Sequence, residues 1–306
     1  MKIAVVGLGL IGGSFCKAIS ARTNHSVYGM NRSKEVIEKA IACGAIEKEI
    51  DLDGLAECDL VILGYHPELT IRFLNEHAAY LPKNGIVMDT CGVKRTILDQ
   101  TKKVLAKNGV RFVGVHPMAG REFSGFDYAL EELYDGASLI ITRNEDTDKE
   151  AVAVIERLGY EIGFGRVVVT DAVTHDATIA FTSQIAHVLS NAYVKSPTLY
   201  NESGFSAGSF KDLSRVAMLN ADMWTELFFM NRIPLLFEVQ SLIYHLQQYC
   251  DALEADDREK MHKLLVDGTN RKKWSLEHAA EVDAAAKETR EEYIRKHRLE
   301  LEKDLK

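Results

Sequence analysis

The chain has 306 residues, 46% of them hydrophobic and 27% charged, with a formal net charge of −8. That composition suits a globular protein of about two domains, at roughly 100–200 residues each, and excludes disorder as the main state. The acidic balance offers no basic face to nucleic acid, and no window approaches the ~18–20 uncharged apolar residues of a membrane span.

The first element is the apolar run Lys2–Val6, a strand. Its charged-then-apolar start resembles a secretory signal, but the glycine spacing and the lack of a cleavage site argue otherwise. Gly7-x-Gly9-x-x-Gly12 follows at once and opens a helix over Ile11–Ala21. In that context the first glycine permits a tight turn, the second admits a pyrophosphate, and the third lets helix and strand pack closely. The bland alternative is a glycine-rich turn without a ligand.

The second strand, Ser26–Met30, ends in Asn31-Arg32-Ser33. An acidic residue about 20 positions past the last glycine would hold a ribose 2′-hydroxyl. Asn31 stands there instead, and Asn-Arg-Ser suits a 2′-phosphate, so NADP is slightly favoured within an NAD(P) reading. Arg32 could equally stack on the adenine, which suits either cofactor.

Further strands are predicted at Leu60–Gly64, Gly85–Asp89, Arg111–Val115 and Ser138–Thr142, alternating with helices such as Lys34–Cys43, Pro67–Tyr80, Lys94–Lys107 and Asp148–Leu158. Several strands are continuously apolar, as in a sheet covered on both faces. The class is α/β, a Rossmann-type doubly wound sheet over 1–169. His116 closes the strand Arg111–Val115 ahead of Pro117-Met-Ala-Gly120, at a carboxyl end where such sheets bind ligands. A neutral imidazole there can accept a proton. A lone histidine is more often structural.

From Asp171 strand-like runs vanish, and 170–306 reads as an all-helical domain: Asp171–Lys195, Lys211–Ala221, Asp222–Glu254, Asp257–Val266 and Thr269–Lys306, with Asp222 and Asp257 as caps. Ser183, His187 and Asn191 recur every fourth residue on an otherwise apolar helix, with Asp176 near the same face. They form either local bonds or one wall of a polar substrate cleft between the domains. Arg215 can clamp a carboxylate or pair with Asp212. Cys16, Cys43, Cys58, Cys91 and Cys250 show no C-x-x-C spacing, which suits reduced thiols in a cytoplasmic protein and argues against a metal site.

Taken in order, GLGLIGGS (Gly7–Ser14), Asp89-Thr-Cys-Gly-Val-Lys94, HPMAG (His116–Gly120) with Ser124-Gly125, His175-Asp176, Ser183-Gln-Ile-Ala-His187, Gly208–Ala217 and Met223-Trp224 resemble the prephenate/arogenate dehydrogenases of tyrosine biosynthesis. The resemblance implies a Rossmann domain, a helical domain that forms a homodimer, and an active site between them. It implies oxidative decarboxylation of prephenate to 4-hydroxyphenylpyruvate, with hydride passing to NAD(P)+. His116 matches the catalytic acceptor, Arg215 the arginine on a substrate carboxylate, and His187 a pocket histidine, beside Ser183. Arg121, where some relatives carry a small polar residue, could reach the pyruvyl carboxylate. Cofactor contacts are expected from Gly7, Gly9, Leu10, Ile11, Gly12, Asn31, Arg32, Ser33, Asp89 and Gly92. Two departures stand out. Gly92 replaces the serine whose hydroxyl orients the catalytic histidine, leaving Thr90, Cys91 or a water as substitutes. Gln184 replaces a histidine. The chain is expected to end with the helical domain, without a fused mutase or regulatory domain.

Other readings stay open. Arogenate is the alternative substrate. A β-hydroxyacid dehydrogenase or imine reductase would place a lysine on the helix after the junction, and none occurs there before Lys195. A non-catalytic dinucleotide sensor would not need His116 and Arg215 together.

Overall fold

Continuous apolar strands dominate the N-terminal half. In the computed structural model, which describes residues 1–121 and 123–304, they assemble into one sheet of eight strands. These are β1 (Lys2–Val6), β2 (Ser26–Met30), β3 (Lys48–Glu49), β4 (Leu60–Leu63), β5 (Ile86–Asp89), β6 (Arg111–Pro117), β7 (Ser138–Thr142) and β8 (Arg166–Thr170), in the order β3-β2-β1-β4-β5-β6-β7-β8. Every residue of β4 and β5 is buried, as two-sided helix cover requires. The helices of this half are α1 (Leu10–Arg22), α2 (Lys34–Ala42), α3 (Leu52–Leu55), α4 (Pro67–His77), α5 (Arg95–Asn108) and α6 (Lys149–Glu161).

The chain winds outward from β1 in both directions, so the order reverses between β2 and β4. That reversal opens a crevice at the carboxyl ends of the strands, the ligand position in such sheets. Strands β1 to β6 are parallel, whereas β7 runs antiparallel to β6, with His116 opposite Ile140. A parallel return usually uses a crossover helix. The stretch between β6, which ends on Pro117, and β7 contains Gly120 and Gly125, and its described residues form only short 3₁₀ turns at Phe126–Tyr128 and Glu131–Tyr134.

Two compact units result, Met1–Asp176 and the remainder from Ala177. The division falls inside α7 (Ala172–Ile179), because His175 and Asp176 bond into the first unit.

The second unit holds α8 (Ile185–Tyr193), α9 (Gly208–Ser214), α10 (Ala221–Met230), α11 (Arg232–Glu254) and α12 (Arg258–Asp304). All five expected helices differ in detail, and the one expected over 211–221 runs instead over Gly208–Ser214. The one expected over 171–195 contains a π-helical turn at Ala180–Gln184. The one expected over 222–254 breaks at Asn231, a buried residue whose amide donates to Gln184 Oε1 at 2.7 Å. Its start is capped by Asn220, which accepts from Met223 N at 3.0 Å, and not by Asp222. The two expected after Asp257 are one helix, because Gly268 costs only about 1 kcal/mol and the good helix formers Lys263-Leu-Leu265 and Arg271-Lys-Lys273 lie on either side of the weak stretch around it. Asp257 does cap it, accepting from Lys260 N at 2.8 Å. The end of the last expected helix, 305–306, lies outside the described residues.

Candidate active site

The glycine turn is built as its spacing demands. Gly7 sits at φ +92°, and a Cβ on it would press on the Tyr65 ring at 2.8 Å. A Cβ on Gly12 would collide with the Gly7 carbonyl oxygen, so this residue lets α1 pack against β1. Gly9 differs, for a Cβ there would meet no atom within 4 Å. Its lack of a side chain leaves open space over the first turn of α1, which no side chain caps. That open face, with Leu10 and Ile11 opening the helix, fits the pyrophosphate of a dinucleotide.

Asn31 closes the loop from the other side. Its Oδ1 accepts from Leu8 N at 3.1 Å, so it braces the glycine turn. Ser33 caps α2 through Val36 N. Arg32 is exposed and lines a cavity of about 580 Å³ together with Tyr65, Arg72, Phe73, Glu76 and His77. Sequence reasoning missed Arg72, which sits on α4, 40 positions beyond Arg32. Burial pushes the Tyr65 phenol up, against the opposing charge of Arg32.

Asp89, expected among the cofactor contacts, is fully buried. Its carboxylate pairs with the equally buried Lys94 and accepts from Cys91 N at 3.0 Å and Val115 N at 3.2 Å. It ties β5, the following turn and β6 together beneath the site. Gly92 lies in the same turn. Of the groups expected to replace its missing hydroxyl, Thr90 donates to Leu63 O at 3.1 Å. The Cys91 sulfur contacts Tyr65 O and Thr70 Oγ1, both at 3.4 Å.

His116 is partly buried at the end of β6, and its Nδ1 lies 3.0 Å from His175 Nε2. The rings meet edge to face, at 68°. His175 Nδ1 in turn lies 2.7 Å from Asp176 Oδ1. Asp176 also accepts from Lys94 N and Arg95 N, each at 2.9 Å, which caps α5 from a segment 81 residues away. Its carboxylate is thus engaged at the start of α5, where an anion is favoured by the helix N-terminus. Burial, reinforced by His175 and the Lys94 cation, holds the His116 pKa well below 6.5. His116 is therefore neutral at pH 7 and able to accept a proton. Arg121 lies outside this chain of bonds. It is exposed, 5.6 Å over the Phe123 ring.

In the second unit, His187 Nδ1 lies 2.9 Å from Ser183 O, so it carries the proton and leaves Nε2 as acceptor. The imidazole packs on Trp224 with ring centroids 3.9 Å apart. Burial lowers its pKa, and the Arg215 charge lowers it further, against the bond to Ser183. These groups form one polar and cationic cluster. Asn191 turns elsewhere, donating to Ala217 O at 3.1 Å.

Comparison with known proteins agrees with this anatomy. Residues 15–169 match the family model "Prephenate dehydrogenase, nucleotide-binding domain", and residues 171–267 match "Prephenate dehydrogenase, dimerization domain". The prephenate dehydrogenase of Bacillus subtilis is 30% identical over 85% of this chain and 72% of its own length. A cyclohexadienyl dehydrogenase of Zymomonas mobilis is 30% identical over 83% of this chain and 89% of its own. Among solved structures, Synechocystis arogenate dehydrogenase superposes with a TM-score of 0.78 at 27% identity, covering 90% of this chain and all of that one. The prephenate dehydrogenase of A. aeolicus, in complex with hydroxyphenyl propionate and NAD+, gives a TM-score of 0.78 at 26% identity, covering 89% of this chain and 98% of that one.

Proposed function

The chain belongs to the prephenate dehydrogenase family, and we propose that it oxidatively decarboxylates prephenate to 4-hydroxyphenylpyruvate. The observation that carries this reading is His116: a neutral, hydrogen-bonded imidazole at a strand's carboxyl end, in a unit whose glycine turn suits a dinucleotide. A nicotinamide cofactor supplies the hydride acceptor. His116 takes the proton of the substrate's 4-hydroxyl on Nε2 as hydride leaves C4 and carbon dioxide departs. Aromatisation of the ring makes the step effectively irreversible.

The remaining roles follow from charge. Arg215 binds a substrate carboxylate, with His187 and Ser183 beside it. Arg121 is the candidate for the pyruvyl end. Gly7, Gly9, Leu10, Ile11 and Gly12 hold the pyrophosphate, and Gly92 borders the nicotinamide end. Arg32 and Arg72, sharing one cavity without an aspartate at position 31, favour NADP over NAD. Asp89 serves this site from beneath, through Lys94. The free cysteines suit a reducing compartment, so the cytoplasm is the expected location. Among the described residues no helix is long and apolar enough to cross a membrane.

Turnover of purified protein with prephenate and with arogenate, each against NAD+ and NADP+, tests this reading. Oxidation of prephenate with the higher kcat/KM is expected. A clear preference for arogenate would reassign the substrate, and no turnover with any pair would leave a dinucleotide sensor.

A further inference from the structure

We infer that His175 and Asp176 are positioning residues that fix the tautomer of His116, taking over the task of the hydroxyl absent at Gly92. The inference rests on the functional reading above and names the device that makes His116 a base.

One line of hydrogen bonds joins Asp176, His175 and His116. Asp176 is buried, and its oxygens already accept two backbone N–H groups at the start of α5. An ionised carboxylate has no proton to give. At 2.7 Å, therefore, His175 Nδ1 must be the donor. We infer that His175 is held uncharged, so that with its proton on Nδ1 its Nε2 is bare and can only accept. The atom 3.0 Å from it is His116 Nδ1, which must carry the proton. His116 Nε2 is left unprotonated, the form a base requires.

Three features show this line to be built into the fold. His175 and Asp176 are only 2% and 3% exposed. The carboxylate is immobilised by the helix it caps. Thr90 and Cys91, the neighbours able to replace a serine, direct their side chains to Leu63, Tyr65 and Thr70. Among the described residues, the ionisable groups tied to His116 by bonds or charge are His175, Asp176 and Lys94, with Asp89 behind Lys94. When the substrate O–H bond breaks and the Nε2–H bond forms, the imidazolium keeps its Nδ1–H on His175. The chain of bonds holds the ring still and places a carboxylate two bonds away from the new charge.

The test has a part that needs no turnover. Nitrogen-15 imidazole spectra of the resting wild-type protein, assigned against His116→Asn, should show the His116 proton on Nδ1. His175→Leu should lose that preference and reduce kcat by about 10–100-fold, the usual scale for orienting partners, with KM and cofactor Kd within about twofold. His175→Gln, whose amide oxygen reaches the place of Nε2, should recover at least a tenth of wild-type kcat. A proton on Nε2 of His116 in the wild type overturns the inference. So does a folded His175→Leu enzyme whose kcat stays within about twofold, or a His175→Gln enzyme no better than His175→Leu. A wild-type protein that oxidises neither prephenate nor arogenate defeats the functional reading, while the tautomer is still read directly.

Discussion

In the proposed reaction His116 concentrates the chemistry, because that reaction needs an acceptor nitrogen and the ring's pKa is depressed. Burial and the nearby Lys94 cation disfavour its protonated form. The free-enzyme profile of kcat/KM should therefore lose activity only as pH falls through a midpoint below 6.5, the ordinary histidine value. His116→Asn retains size but cannot take a proton. It should lower kcat about 10²–10⁴-fold with near-normal cofactor affinity, and flatten that limb. An asparagine enzyme keeping a tenth of its activity and the limb would move the role to His187. For Arg215→Ala, loss of a carboxylate partner predicts prephenate binding about 10²-fold weaker at unchanged cofactor Kd. A KM within about threefold of wild type would make Arg215 structural. Cofactor choice belongs to this scale too. Asn31→Asp with Arg32→Ala should shift the NADP:NAD ratio of kcat/KM toward NAD, since the acid repels a 2′-phosphate. Because Asn31 also holds Leu8 N, its carboxylate replacement still accepts that bond and the loop should survive.

At the scale of elements, the turn from β5 into α5 joins stability to catalysis. Lys94 and Asp89 are a fully buried ion pair, and the Lys94 backbone N–H is held by Asp176. Burying two charges gains little net, but removing one partner strands the other. Lys94→Met should destabilise the nucleotide-binding unit by about 3–5 kcal/mol, read from its denaturant midpoint. A loss under about 1 kcal/mol would mean that water reaches Asp89. The same turn borders His116, so this variant should also lower kcat in whatever fraction remains folded.

For the whole molecule, the helical unit leaves large apolar side chains uncovered. Phe229, Ile233, Phe237, Tyr244 and Leu253, on α10 and α11, are all exposed. Exposed apolar surface of this extent marks an interface, and the matched model for this region is a dimerization domain. Sedimentation should show a homodimer at micromolar concentration; a monomer there would exclude a self-complementary interface.

Much of this protein is determined by signals that neighbouring residues carry. Runs such as Leu60–Leu63 bury both faces and so become inner strands, while Gly7, by its positive φ, and Gly12, by its approach to the Gly7 carbonyl, can only be glycines. The order of motifs, from the glycine turn to Met223-Trp224, identified the family and pointed to His116. Only the tertiary structure decided the rest. The antiparallel β7 depends on which strand offered a free edge, a choice no local pattern encodes. Spacing put Asp176 near a helical face but could not say what meets it; the chain folds its carboxylate onto the start of α5. The partner of His116 lies 59 residues away, at a distance where sequence carries no geometric information. Local periodicity follows from a residue's own backbone, whereas a hydrogen-bond partner is set by where distant segments come to rest.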